Sequence, residues 1–388
     1  MSSPTAATRG LLAAGALTAV LVSSACSTPA EAAPAGTPSE AADVLQDQLD
    51  GLVADDGFPG ALAAVRDTAG GDVTDLTAGV GDLETGEDVP VDGEVRIASN
   101  TKTFTAVVVL QLADEGLVDL DAAIETYLPG LVRGAGIDGN AITVRQLLQH
   151  TSGLPDYDAV LAEDQASLQH RYVEPQQLLD LAFASPALFA PGTSWEYSNT
   201  NYVLAGLLVQ EVTGRPVGEE ITNRIITPLG LEDTYWPHEG EQELRGDHPH
   251  GYHAKSPGAD YTDVTVQDPS FGWAAGQLVS TPSELLEFFT ALVDGELLSP
   301  GMLDQMQDVV PAPTSSVSGV ESYGLGLQTF TTSCGVEAWT HGGDIFGTET
   351  RGAVVPGGPG VMVAVTALPT DLDRAQHVED AVDAAICA

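Results

Sequence analysis

Segments patterned as β-strands stand near both ends of this chain, and the long stretch between them is patterned as helix and loop. Ala61-Leu62-Ala63-Ala64-Val65 and Val73 to Val80 read as two strands joined across a Gly-Gly turn. Far along the chain, Tyr323 to Phe330, Val336 to His341, Thr350 to Val355 and Val361 to Thr366 read as four more, and residues 373–386 close it as an amphipathic helix. Residues 43–54 also pattern as a helix. A sheet drawn from both chain ends around a helical insertion gives an α/β protein of the α+β type: an antiparallel sheet flanked by helices, carrying a mostly helical inserted domain, with a site between the two. The expected boundaries are a sheet subdomain over about 43–118 and 296–388 and a helical subdomain over about 119–295.

The acid–base balance narrows the partners. With 56 acidic residues against 13 basic ones and a net charge of -43, the chain is unsuited to nucleic acid or to a basic docking patch on anionic lipid. Its start reads as an export signal over 1–32: Arg9 gives the positive end, Gly10 to Val22 an apolar run too short to span a bilayer, and Ala30-Glu31-Ala32 the small residues of a cleavage site. The alternative is a lipoprotein signal cut before Cys26, which leaves membrane attachment only through a lipid on that cysteine. Residues 33–42 continue an Ala, Pro, Ser, Thr and Gly composition that suits a linker, and the catalytic domain is expected over 43–388. Either processing removes Cys26 from the folded part. Cys334 and Cys387 then remain as an even pair in a secreted or cell-envelope setting, where they are expected to bond. A loop of this length contributes about 4 kcal/mol in the chain-entropy description.

Ser99-Asn100-Thr101-Lys102 carries the chemistry. A serine hydroxyl needs a base, and on a helix starting at Ser99 or Asn100 residues three apart share one face, so the Lys102 amine can reach the Ser99 oxygen. Phe104, Val107, Val108 and Leu112 support that helix, and Gly116 stops it. The chain has 2 lysines against 11 arginines, and one of the two stands here, where a group able to lose its proton is needed. Tyr197 and Asn199 lie on the connection before a helix that runs to Gly214. A tyrosine there can relay a proton to a leaving group, and the amide can bond the lysine or a substrate carbonyl. Trp339-Thr340-His341-Gly342-Gly343-Asp344 ends one strand and turns into the next; its glycines admit a ligand to the backbone, and the Asp344 amide can form a two-donor oxyanion hole with that of Ser99. His150, in Leu147 to Leu154, reads as structural. The run Asp247 to His253 gathers acids and imidazoles at a spacing that suits neither a helix face nor a zinc finger, so no metal or other cofactor is expected.

Taken together, these pieces resemble the serine β-lactamase-like and penicillin-binding family, most of all the secreted D-alanyl-D-alanine carboxypeptidases of actinomycetes. Its Ser-x-x-Lys, Leu-Leu-x-His-Thr-Ser-Gly-Leu, Tyr-x-Asn and His-x-Gly motifs are matched in order by Ser99/Lys102, 147–154, Tyr197/Asn199 and His341/Gly343, over a region from about 43 to the C-terminus. The cysteine pair also resembles that group's disulfide. The resemblance implies Ser99 as nucleophile, Lys102 and Tyr197 as base and acid, Asn199 as substrate positioner and His341 in place of the lysine of a Lys-Thr-Gly box. Gly342 stands where a threonine is common, and the arginines that would take a substrate's terminal carboxylate are missing. No arginine occurs between Arg245 and Arg351, which leaves Arg351 as the candidate. Asp344 brings a carboxylate beside the pocket that would repel an anion unless paired. The expected activity is that of an exported serine hydrolase acting through an acyl-enzyme, foremost a carboxypeptidase on peptidoglycan stem peptides. β-Lactams, esters and D-amino acid amides are alternative substrates for the same machinery. A non-catalytic β-lactam receptor is the rival from another class, and intact Ser99, Lys102 and Tyr197 speak against it.

Overall fold

The computed structural model describes residues 40–388 apart from 69, 162–167 and 314–321. The export signal, Cys26 and the linker up to Ser39 lie outside the described residues. Residues 40–42, expected as linker, open the first helix instead, because Ala41 and Ala42 pack in the core.

One nine-stranded sheet organises the domain. Its strands are β1 (Gly60–Arg66), β2 (Thr74–Gly79), β3 (Val310–Pro311), β4 (Ser322–Tyr323), β5 (Gln328–Thr331), β6 (Glu337–Thr340), β7 (Gly343–Ile345), β8 (Thr348–Val354) and β9 (Gly360–Val365). They run β2-β1-β9-β8-β6-β5-β4-β3, with β7 paired to β8 off this path. The pairing of β1 with β9 is antiparallel, from Ala61 opposite Val365 to Arg66 opposite Gly360, so both chain ends share one sheet. The expected strand Tyr323 to Phe330 is two short strands. Gly326 between them takes φ +81, and a Cβ on Gly324 would sit 2.0 Å from the Met306 carbonyl, so that stretch cannot stay extended in a regular ladder.

Helices cover both faces. The longer ones are α1 (Glu40–Ala54), α2 (Thr101–Asp114), α3 (Asn199–Thr213), α4 (Pro282–Val293) and α5 (Leu372–Ile386). All seven residues of β1 are buried, and alternation sends them to two cores. Ala61, Ala63 and Val65 meet Leu45, Leu49 and Leu52 of α1 and Val378, Ala381 and Val382 of α5. Leu62 and Ala64 meet Phe104 and Val108 of α2 and Leu285 and Phe289 of α4. Small residues on the strand let helices lie close on either side. Thr281 caps α4 and Asp371 caps α5, each accepting a bond from the backbone N–H three residues on.

Helix α2 is buried on every side from Thr101 to Leu110, between the sheet and the helical middle of the chain. Its buried threonines are satisfied by carbonyls: Thr103 Oγ1 donates to Gly326 at 2.8 Å and Thr105 Oγ1 to Ala274 at 2.8 Å. That pins the helix end at which the serine stands. Cys334 and Cys387 are bonded, closing 53 residues and tying the β5–β6 turn to the end of α5.

Candidate active site

Ser99 lies in a single 3-10 turn, Ala98–Asn100, that runs directly into α2. Ala98 before it holds φ +44, a conformation unfavourable for a residue with a Cβ. Two further left-handed residues, His150 at φ +61 and Trp273 at φ +37, belong to segments that contact the same site. Such local strain is sustained where the surrounding packing over-determines a geometry.

Lys102 is fully buried, and its Nζ is 3.0 Å from Ser99 Oγ, 2.7 Å from Asn199 Oδ1 and 2.8 Å from the Ala275 carbonyl. Asn199 Oδ1 and the Ala275 carbonyl only accept, so a neutral amine gives its two protons to them and turns its lone pair to Ser99. Burial holds the Lys102 amine below the usual lysine value, while Asp156, Asp158 and Asp344 pull the other way. On the other side stands the Tyr197 phenol, whose pKa burial pushes well up while Ser99 draws it down. The Lys102 ammonium position is 4.9 Å from the Tyr197 ring centroid. Ser99, Lys102, Tyr197 and Asn199 are thus brought together.

Asn199 is the first residue of α3 rather than part of the preceding connection. Its amide bridges inward, accepting from Lys102 and donating from Nδ2 to Asp156 Oδ2 at 3.0 Å. Of the two uses expected for it, the structure shows the bond to the lysine.

The remaining expected residues are placed differently. His341 is 2 % exposed. Its Nε2 is 3.0 Å from the Tyr323 hydroxyl and its Nδ1 is 2.7 Å from the Gly342 carbonyl, so neither ring nitrogen is left for substrate. Burial and Lys102 lower its pKa to about 3, which keeps it uncharged. Gly342 and Gly343 do not open the backbone to a ligand. A Cβ on Gly343 would stand 2.2 Å from the Ile97 carbonyl and one on Gly342 would stand 3.1 Å from Arg351 Nη1, so the glycines let β7 pack against the serine turn and against the arginine. Arg351 is not a free carboxylate receptor either. Its guanidinium is 2.9 Å from Asp344, 2.5 Å from Glu349 and 2.6 Å from Glu379, and three carboxylates occupy it. Asp344 is thereby paired, as an anionic substrate would require, although its carboxylate stays half-exposed at the pocket.

The cleft over Ser99 is lined by Tyr157, Asp158, Asn199, Phe271, Asp344 and Ile345, together with Ala98, Gly272, Ala275 and Gly276. Among the described residues no lysine, arginine or histidine side chain lines it. Asp158 lies four residues past Leu154 and outside every motif singled out in the sequence. Among the described residues its carboxylate has no hydrogen-bond or ion-pair partner, and burial pushes its pKa up while Lys102 draws it down. Phe271 and Asp158 also border an adjoining apolar recess with Leu161, Leu168 and Phe346. Among the described residues no cluster of three or more His, Cys, Asp or Glu could hold a metal. His250 is instead 2.6 Å from Asp263.

An antiparallel sheet with helices on both faces and a buried lysine beside a serine at a helix start define a β-lactamase-type serine hydrolase. The Beta-lactamase family model matches residues 45–385, and the chain belongs to that family. Among solved structures, a D-stereospecific amidohydrolase from a Streptomyces species is 39 % identical with a TM-score of 0.78, covering 87 % of this chain and 98 % of that one. The D-amino acid amidase of Ochrobactrum anthropi SV3 is 29 % identical with a TM-score of 0.80, over 89 % of this chain and 97 % of that one. Penicillin-binding protein 4* of Bacillus subtilis is 31 % identical over 140 residues, which is 36 % of this chain and 29 % of that protein. Protein flp of Staphylococcus aureus is 34 % identical over 138 residues, 36 % of this chain and 27 % of that one. The match therefore spans less than a third of those two proteins.

Proposed function

We propose that this chain hydrolyses amides or esters of D-amino acids that carry a free α-ammonium group, through an acyl-enzyme on Ser99. The observation that carries this reading is the charge of the cleft: among the described residues Asp158, which lines it with Ser99, has no ion-pair partner and no cationic side chain lines the walls. A carboxypeptidase must receive a terminal carboxylate, and Arg351 is already occupied by three carboxylates. An ammonium reverses the preference, since it gains from Asp158 and Asp344 and stabilises the ionised form of Asp158. The apolar recess beside Asp158, bordered by Leu161, Leu168, Phe271 and Phe346, suits the side chain of such a substrate. The D-configuration is drawn from the two amidohydrolases similar to this chain.

The chemistry follows from the hydrogen bonds. Ser99 Oγ attacks the carbonyl carbon as its proton passes to the neutral Lys102 amine, and we assign the backbone N–H groups of Ser99 and Asp344, which line the same cleft, to the oxygen on which charge develops. Collapse expels the amine or alcohol, which receives through the Tyr197 phenol the proton that Lys102 took from Ser99. Water then enters, the same pair removes its proton, and the ester to Ser99 is cleaved. An exported setting suits the Cys334–Cys387 bond, because such bonds persist in oxidising compartments.

The test is a comparison of D-phenylalanine amide with its N-acetyl derivative and with a peptide ending in D-Ala-D-Ala. The free-amine substrate is expected to have the highest kcat/KM, and Asp158→Asn to raise its KM about tenfold while leaving the N-acetyl compound within about twofold. A peptide preferred for its terminal carboxylate, with Asp158→Asn acting equally on all three, would return the assignment to a carboxypeptidase.

A further inference from the structure

A buried chain of polar side chains links the two walls of the site. His150 follows the end of a short helix, Val144–Leu148, and is completely buried. Its Nδ1 lies 3.1 Å from the Ser198 backbone nitrogen and 3.0 Å from Asn201 Nδ2, and its Nε2 lies 3.2 Å from the Tyr323 hydroxyl. Its ring also packs against that of Tyr197, with centroids 4.3 Å apart and the planes tilted by 31°. Tyr323, on β4 and also completely buried, reaches His341 Nε2 at 3.0 Å, and His341 Nδ1 reaches the Gly342 carbonyl at 2.7 Å.

The proton positions along this chain follow from its two ends. The Ser198 backbone N–H can only donate, so His150 Nδ1 accepts and the neutral ring carries its proton on Nε2, which donates to the Tyr323 oxygen. At the far end the Gly342 carbonyl can only accept, so neutral His341 carries its proton on Nδ1 and its Nε2 must accept. The Tyr323 hydroxyl supplies that bond. The directions deduced from opposite ends agree at Tyr323, which accepts one bond and donates the other. Burial and the neighbouring Lys102 hold both rings in the uncharged state this requires.

We propose that His150 and Tyr323 are positioning residues for catalysis, fixing Tyr197 on one wall and, through His341, the Gly342–Asp344 edge on the other at a set separation around Ser99. His341 is accordingly a positioning residue too, and not a carrier of the substrate's proton. The chain has a mechanical logic. His150 grips the segment between Tyr197 and Asn199 by its Ser198 amide, Tyr323 ties that grip to the sheet, and His341 holds the Gly342 carbonyl at the start of β7, the strand that presents Asp344 to the cleft. The inference rests on the acyl-enzyme reading of Ser99.

Three variants separate these links. Tyr323→Phe removes the central hydroxyl and keeps the ring. His150→Asn tolerates the left-handed backbone of that position and can still accept from Ser198, but it is too short to reach Tyr323. His150→Gly suits that backbone best and removes both links. Each is assayed with an activated D-phenylalanine ester after titration of the fraction of Ser99 that acylates, so that misfolded protein is not counted. Per acylating site, kcat is expected to fall about tenfold for Tyr323→Phe and His150→Asn and about a hundredfold for His150→Gly, with KM within about twofold throughout. Nitrogen NMR of ¹⁵N-histidine-labelled wild type should show the Nδ1–H form for His341 and the Nε2–H form for His150. An unchanged kcat per acylating site, with only the acylating fraction reduced, would make the chain purely structural and overturn the proposal. So would an Nε2–H form at His341. Failure of the wild type to acylate at Ser99 would instead overturn the underlying reading, and the two failures are thereby distinguished.

Discussion

Lys102→Met is expected to lower kcat/KM by about 10⁴-fold while the protein still folds, a loss at the upper end of what one proton-transfer group contributes. The substitution removes the amine that stands 3.0 Å from Ser99 Oγ, and it leaves the Asn199 oxygen and the Ala275 carbonyl without the donor both now use. Lys102→Arg should fail nearly as badly, because a guanidinium keeps its proton and cannot accept the one from serine. The pH profile carries the sign of the assignment. Lys102 acts as a base only after losing its proton, so kcat/KM rises with pH through its pKa. Burial places that limb below the ordinary lysine value of 10.5. Asp156, Asp158 and Asp344 raise the same pKa, so the Asp158→Asn variant should carry the limb to lower pH. A limb unmoved by Asp158→Asn, or an arginine variant with more than a tenth of wild-type activity, would contradict Lys102 as the base.

Arg351→Met should destabilise the fold by about 3–5 kcal/mol, because it leaves a buried charge cluster without its cation. Glu349 is completely buried, Glu379 nearly so, and Asp344 shares the same guanidinium. Burial raises the Glu349 carboxyl above its usual 4.5 and Arg351 draws it back down. With the folded pKa raised, the unfolded chain gives up this proton first. The stability it contributes is complete below 4.5 and is lost as pH rises through the folded value. Removing Arg351 moves that value further up, so the urea midpoint of the variant should fall more steeply between about pH 5 and about pH 8 than that of the wild type. If Arg351 were instead a receptor for substrate carboxylates, the variant would keep wild-type stability and lose activity only on carboxylate-ended substrates.

The parts of this site legible in the sequence are those whose geometry is local. Ser99 and Lys102 meet because a helical turn places them together, and the apolar residues after them mark the helix that does so. The sheet drawn from both chain ends was legible from two strand patterns and their separation, since β1 and β9 are strongly apolar on both faces. What the sequence hid depends on pairing across the fold. Arg351 reads as an available cation because nothing near it in the chain reveals that Glu379, on α5, and Asp344, on the neighbouring strand, converge on it. Gly342 and Gly343 read as room for a ligand, whereas the room is taken by the Ile97 carbonyl and the Arg351 side chain. Tyr323 opens an expected strand without any mark that its hydroxyl would lie between two histidines. Asp158 stands four residues past the quoted Leu154 and draws notice only once it lines the cleft beside Ser99.

The most direct test of the whole account is an intact-mass time course of the purified protein with an activated D-phenylalanine ester, beside Ser99→Ala and with benzylpenicillin in a parallel tube. The account predicts a transient D-phenylalanyl adduct on the peptide containing Ser99, formed faster than any penicilloyl adduct and absent from the variant. An adduct elsewhere, turnover that persists in Ser99→Ala, or acylation by penicillin alone would contradict it.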